Sequence, residues 1–391
     1  MHSAKHQPQT MIDALRLVRT EGVGPITHRR LMGRYGSAGA ALEALPHLTR
    51  AGGRHRPPNI PSIDDAAREI DRVAALGGRL IFIGEPGYPP LMALLEDAPP
   101  CLMILGDAAL LHKPAIAIVG GRNASANGQK LAEGLAAELA AHLVVISGLA
   151  RGIDAAAHKG ALSTGKTVAA IAGGLDVAYP PGHEDLQRKI AETGALVTEA
   201  APGTVPQARH FPRRNRIIAG LSLGVVVIEA APRSGSLITA GIAQDLGREV
   251  FAVPGSPQDP RSRGANDLLR QGAVMTESAA DILANLPLLT ANLSPSRQGR
   301  NRVLAAQAAA GITSEDPPKV PSEVRDAVVA LLGPAPTAVD DLLRRCQFSD
   351  AAVMAALLEL ELAGRVDTLP GNRVALSLSP DSPLFSTDAH V

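Results

Sequence analysis

The chain contains no tryptophan, only five phenylalanines and three tyrosines in 391 residues, so its core must be built from alanine, valine, leucine and isoleucine. An exposed ring is therefore informative. Cysteine is equally scarce: Cys101 and Cys346 lie far apart and form no CxxC pair, which excludes a disulfide scaffold and fits a reducing cytoplasm. No GxSxG, HExxH or Cys/His cluster occurs, so serine-hydrolase and zinc chemistry have no basis, and no metal, cofactor or catalytic residue is expected. Long apolar runs are also missing. The most apolar stretch, 131–150, is broken by Glu133, Glu138 and His142, and residues 1–10 are polar, so neither a membrane span nor a signal peptide is expected. Charge of one sign is absent as well, with 38 basic against 38 acidic side chains.

What remains is a globular composition, 46% hydrophobic and 19% charged, long enough for two or three domains. Short β-branched runs begin near Ala115, Leu143, Thr167, Ala195, Gly224, Glu249 and Ala273, at intervals of 24 to 29 residues, each followed by a loop and a stretch of helical periodicity. That interval is one strand plus one crossover helix, which predicts a doubly wound parallel α/β sheet. A helix over 64–76 and a strand over 80–83 place the start of this domain upstream of Ala115. The first sixty residues hold nine Lys/Arg against three acids, with a Gly22-Val23-Gly24-Pro25 turn between helical runs. Residues 286–321, rich in Pro, Ser, Ala and Asn, read as a linker. Beyond it, helices over 323–332, 338–345 and 350–363 and a hairpin over 365–376 outline a winged helix. The expected domains are 1–62, 63–286, a linker 287–321, and 322–379.

Two motifs are decoys. Gly160 to Thr167 spells GxxxxGK[ST], but a helix precedes it and a strand follows, the reverse of what a P-loop requires, so Lys166 is read as part of a turn. Val119-Gly120-Gly121-Arg122 with Gly128 follows a strand but lacks GxGxxG spacing, which leaves a phosphate cradle without a dinucleotide fingerprint. Asp154, Asp176, Glu199 and Glu229 fall at or near strand ends; they could form an acid/base pair, but capping and charge pairing are the preferred reading.

Ligands of open α/β sheets bind at the carboxyl ends of strands, and there the arginines collect: Arg122, Arg151, Arg209, Arg213, Arg214, Arg216, Arg233, Arg261 and Arg263, against Lys166 and Arg248 at the opposite edge. The densest segment, Arg209-His210-Phe211-Pro212-Arg213-Arg214-Asn215-Arg216, lies in an acid-free run over 200–228. Arginines interleaved with a ring suit unstacked bases and their phosphates, although Phe211 could equally anchor the core. Two small-residue turns, Ser147 to Gly152 and Arg233-Ser234-Gly235-Ser236, each offer amides at a helix start.

Together with Tyr88-Pro89-Pro90-Leu91, Val253-Pro254-Gly255 and Gly264-Ala265-Asn266, these strings occur in the order and spacing of the DNA-processing protein A (DprA/Smf) family, which the chain resembles over nearly its whole length. The resemblance implies an extended Rossmann domain, a SAM or helix-hairpin-helix region before it and a winged helix after it. It further implies a cytoplasmic, homodimeric, non-enzymatic protein that binds and protects single-stranded DNA and helps load the RecA recombinase in natural transformation. Its DNA contacts would fall on Arg122, Arg209, Phe211 and Asn215, with Arg151 and the Ser234-Gly235-Ser236 turn lining the pocket; the charge of the arginine-rich segment, apart from the resemblance, adds Arg209, Arg213, Arg214 and Arg216 as phosphate contacts. The first turn reads Gly121 where the family usually has Ser or Thr, which loses a hydroxyl and keeps the amides. The alternative is a nucleotide-binding phosphoribohydrolase of the LOG kind, whose PGGxGTxxE string carries an essential Glu; the matching stretch here, Gly235 to Thr239, has none. The third winged-helix segment, 350–363, holds Asp350, Glu359 and Glu361 with no Lys or Arg and would repel phosphate, so the C-terminal domain is expected to contact protein, either a partner or another subunit, rather than DNA.

Overall fold

The computed structural model describes residues 8–54, 56–286, 320–369 and 371–377. The expected linker lies outside these apart from Val320 and Pro321, as do the last two residues of the expected winged helix. The described residues divide into two compact units, one of those within 8–68, 96–100 and 320–377, the other of 69–95 and 101–286.

In the first unit the N-terminal helices are α1 (Gln9–Arg19), α2 (Pro25–Tyr35) and α3 (Ala38–Ala51). Ser37 caps α3 by accepting from Ala40 N, and Pro25 at the first position of α2 supplies a pre-set φ where no amide is needed. Helix α4 (Ile63–Ala75) follows.

The second unit is a nine-stranded sheet. Its elements are β1 (Arg79–Phe82), α5 (Pro90–Ala93), β2 (Cys101–Gly106), β3 (Ala115–Gly120), α6 (Ala126–Leu139), β4 (Val144–Ser147), α7 (Ile153–Thr164) and β5 (Thr167–Ala170). Then come α8 (Glu184–Thr193), β6 (Ala195–Thr198), α9 (His210–Leu221), β7 (Gly224–Ile228), α10 (Gly235–Asp245), β8 (Glu249–Ala252), α11 (Arg263–Arg270), β9 (Val274–Met275) and α12 (Ala279–Asn285). The strand order is β1-β2-β6-β5-β4-β3-β7-β8-β9. From β6 to β9 every pairing is parallel, as expected. The sheet is nonetheless mixed, because β2 runs antiparallel to β6 and β1 antiparallel to β2. The order reverses between β3 and β7, which puts the topological switch point at their carboxyl ends. Below that edge, Ile116, Ile118, Val145, Val226 and Phe251 are buried under α6, α7 and α12, so the scaffold beneath the loops is close-packed.

The winged helix comprises α13 (Ser322–Leu331), β10 (Thr337–Ala338), α14 (Val339–Arg345), α15 (Asp350–Leu362), β11 (Val366–Leu369) and β12 (Arg373–Leu376). Helix α15 is apolar all round, a pattern that requires neighbours on more than one side. One face, with Val353, Ala356, Leu357 and Leu360, joins the winged-helix core. The other inserts Leu358 and Leu362 among Leu17, Leu31, Leu42 and Leu45 of α1 to α3. Glu359 pairs with Arg325 at 2.8 Å, and Glu361 accepts from Thr27 Oγ1 at 2.6 Å and from Arg30 at 3.1 Å. The acidic helix thus meets protein within the chain itself, the N-terminal module, which accounts for its lack of basic residues.

Candidate nucleic-acid interface

The loops after β3, β4 and β5 and the start of α9 converge on an open cleft lined by Arg122, Gly148, Arg151, Gly173, Tyr179 and Phe211 among others. Its position follows from the parallel strands, whose carboxyl ends all deliver loops to one edge. The Phe211 ring is half-buried and belongs to none of the core clusters among the described residues. It packs against Tyr179 with centroids 5.7 Å apart and planes tilted by 54°. The exposed Arg122 guanidinium lies over it at 5.0 Å, a cation–π arrangement worth roughly 0.5–1 kcal/mol at such a site, and the Arg214 guanidinium lies 5.9 Å from its centroid. Of the two readings of Phe211, the core anchor is therefore excluded. Arg122, Arg151, Arg209 and Arg213 are exposed at this edge.

Three residues expected at the DNA surface are instead buried. Arg214, 6% exposed, pairs with Asp154 at 3.6 Å, and Asp154 Oδ2 accepts from Ala150 N at 3.3 Å. Burial pushes the Asp154 carboxyl up against the pull of Arg214, and burial lowers Arg214 in turn. The pair sits under the turn from Ser147 to Gly152, where a side chain at Gly148 would run into the Arg214 guanidinium. Arg216 forms an ion pair with Glu199, and Asn215 Nδ2 donates to the Gly235 carbonyl at 3.3 Å. The expectation of phosphate contacts from Arg214 and Arg216, and of a DNA contact from Asn215, is corrected accordingly: all three are buried on the second turn of α9, and a cation buried there needs a carboxylate.

The rest of the turn is held from behind. Leu149 is buried with φ +57°, an uncommon conformation for a branched residue, and its carbonyl accepts from His183 Nδ1 at 3.1 Å. Since a carbonyl only accepts, that nitrogen carries the proton. Deeper, Thr167 Oγ1 donates to Val145 O and so accepts from His158 Nδ1 at 2.8 Å. Burial lowers His158 to about 3, which keeps it neutral at pH 7. On the surface, burial together with Arg209 and Arg213 lowers His210 below its usual value.

Besides the turn from Ser147 to Gly152, two further anion-binding turns were expected, one after β3 and one at the head of α10. At the first, Gly121 N donates to Ile228 O, Ser125 caps α6 by accepting from Gly128 N at 2.9 Å, and Ser125 N donates to Glu229 Oε2 at 2.7 Å. The first turn is thus occupied by the chain's own groups rather than left as an open cradle. At the second, Ser234 accepts from Ser236 N and the two hydroxyls lie 2.7 Å apart. Neither this turn nor Arg209, Arg213, Asn215 or Arg216 is among the residues lining the cleft; Arg209 and Arg213 flank Phe211 at the head of α9.

The four strand-end acids pair and cap, as preferred: Asp154 with Arg214, Asp176 with Arg72 and Gly203 N, Glu199 with Arg216, and Glu229 with Ser125. Lys166 lies in a turn between α7 and β5, 3.6 Å from Asp107, outside the cleft. Tyr179 was not foreseen. Its signal was present, since it is one of only eight aromatic residues and follows a strand. Among the described residues no group of three or more His, Cys, Asp or Glu could hold a metal ion, and no helix is long and apolar enough to cross a membrane.

Three family models match the chain: DNA recombination-mediator protein A over residues 79–287, the DprA-like N-terminal HHH domain over 8–71, and the DprA winged helix domain over 313–372. The chain is 47% identical over 198 residues to DNA processing protein DprA of Streptococcus pneumoniae, covering 50% of this chain and 70% of that protein. It is 39% identical over 292 residues to Protein Smf of Escherichia coli, covering 74% and 75%. The X-ray structure of DprA from Streptococcus pneumoniae superposes with a TM-score of 0.60 at 36% identity, covering 71% of this chain and 97% of that one.

Proposed function

This chain belongs to the DNA processing protein A (DprA/Smf) family, and from that premise we propose that it binds single-stranded DNA through the cleft around Phe211. Its role is in DNA processing. In the proposed reading it acts in the cytoplasm as a homodimer, protects incoming DNA, and helps load the RecA recombinase during natural transformation.

The observation that carries the reading is the grouping of Arg122, Arg151, Phe211 and Tyr179 at one cleft, with Arg209 and Arg213 beside it. Rings offer a stacking face to any unstacked base and exposed guanidinium groups track the backbone, a combination that favours single strands and carries little sequence preference. A duplex keeps its bases stacked on one another and has none to give Phe211. Arg214, Asn215 and Arg216 enter as residues that hold this surface in place. The hydrolase alternative is disfavoured, because the turn that opens α10 reads Gly235-Ser236-Leu237-Ile238-Thr239 and offers no carboxylate. Titrating the full chain with a labelled oligothymidylate and with a blunt duplex of equal length tests the proposal. Tighter binding to the single strand by tenfold or more is expected, and equal affinity would refute it.

A further inference from the structure

The crevice at the β3/β7 switch point is where an open α/β sheet ordinarily receives the phosphate of a nucleotide. In this chain a carboxylate from the chain itself is seated there. Glu229 directly follows β7 with φ +49°, in the left-handed region that costs energy for a residue with a Cβ. That conformation turns its side chain across to the loop after β3. Oε2 accepts from Ser125 N at 2.7 Å and Oε1 accepts from the Ser125 hydroxyl, which itself accepts from Gly128 N. A Cβ on Gly128 would stand 2.5 Å from Glu229 Cδ and 2.7 and 2.8 Å from its two oxygens, so the carboxylate lies directly on the first turn of α6. It thereby takes the amide, the hydroxyl and the dipole end that a phosphate would use.

We propose that Glu229 is a specificity-determining residue that closes the switch-point crevice to phosphate-bearing small molecules such as nucleoside monophosphates. A phosphate brought within about 4 Å of this carboxylate would lose at least about tenfold in affinity to repulsion alone, and it would find the amide already bonded. Anions at this edge are then confined to the Arg122 side, where they stay open to solvent. A polymer can run across such a surface, whereas a lone nucleotide finds no enclosed seat for its phosphate. The inference goes beyond the DNA reading and is tested apart from it.

Glu229→Gly removes the carboxylate and suits the positive φ; Glu229→Asn, also tolerant of that conformation, gives the same readout should the first variant fail to fold. Each is titrated with adenosine monophosphate by calorimetry, and its melting temperature is followed against inorganic phosphate with chloride matched for ionic strength. The variants are expected to bind the nucleotide at least tenfold more tightly than wild type and to be stabilised by phosphate but not by chloride. Equal nucleotide affinity in wild type and variants, or no binding in either, overturns the proposal. Oligonucleotide titration of the wild type reports separately on the DNA reading, so the two failures are distinguishable.

Discussion

Arg213 and Arg214 are adjacent and chemically identical, yet the structure gives them opposite roles, and substituting each in turn separates them. Arg214 is buried against Asp154, so Arg214→Ala strands a carboxylate in the interior; breaking a buried pair in this way costs about 3–5 kcal/mol. For a unit of this size 1 kcal/mol moves the melting temperature by roughly 2–4 °C, so the variant should melt about 6–20 °C lower. Its DNA affinity should fall by a similar factor at every salt concentration, because what it loses is support for the Gly148 turn rather than a phosphate contact. Arg213 is exposed, so Arg213→Ala should change stability by less than about 0.5 kcal/mol. If it meets a phosphate, the slope of log K against log salt should drop by about 0.7. Combining Arg214→Met with Asp154→Asn removes both charges and should recover much of the lost stability. The assays are thermal unfolding and oligonucleotide titration over a salt series. An Arg214→Ala protein that melts like wild type and loses about 0.7 of slope would refute the assignment.

Phe211→Ala should weaken single-strand binding by about 1–3 kcal/mol, with little change in melting because the ring is only half-buried. With no tryptophan in the chain, tyrosine emission is readable, and the exposed Tyr179 beside Phe211 should be quenched as DNA binds; a quench of equal size in Tyr179→Phe would place the DNA elsewhere. Burial lowers His28 to about 4 and His158 to about 3, below their unfolded value of 6.5, so the unfolded chain binds more protons and stability is lost as pH falls below about 6.5. Each unit holds one of these histidines and should lose about 2 kcal/mol between pH 7 and pH 5, a loss that a flat urea-unfolding series over that range would contradict. Leu358→Ala should cost about 2–5 kcal/mol in the unit that packs α15 on α1 to α3 and leave oligonucleotide affinity unchanged.

The parallel strands were legible because Val and Ile runs at crossover spacing fit few architectures besides a parallel sheet, and their starts were placed within a residue. Strand β2 was missed, since Cys101-Leu102-Met103-Ile104-Leu105 holds one β-branched residue and no alternation. The antiparallel edge was illegible on different grounds: composition does not encode strand direction. At the site, the arginine-rich segment was found by its charge, but charge does not report helix phase. One residue, a rotation of about 100°, separates the exposed Arg213 from the buried Arg214, and Asp154 lies 60 positions away in sequence. The docking of α15 was half legible: its lack of basic residues pointed to a protein contact, and its all-round apolarity called for neighbours on two sides, but nothing in the segment identified the N-terminal helices as one of them.

In the proposed reading DNA lies on the cleft formed after β3, β4 and β5. Photo-crosslinking an oligonucleotide carrying 5-iodouridine to the full chain, followed by mapping of the adducts, tests it most directly. Adducts are expected on Phe211 and Tyr179, with the Tyr179 adduct reduced in step with the weaker binding when Phe211 is replaced by alanine. Adducts confined to the winged helix or to α1–α3, with none on Phe211 or Tyr179, would contradict it.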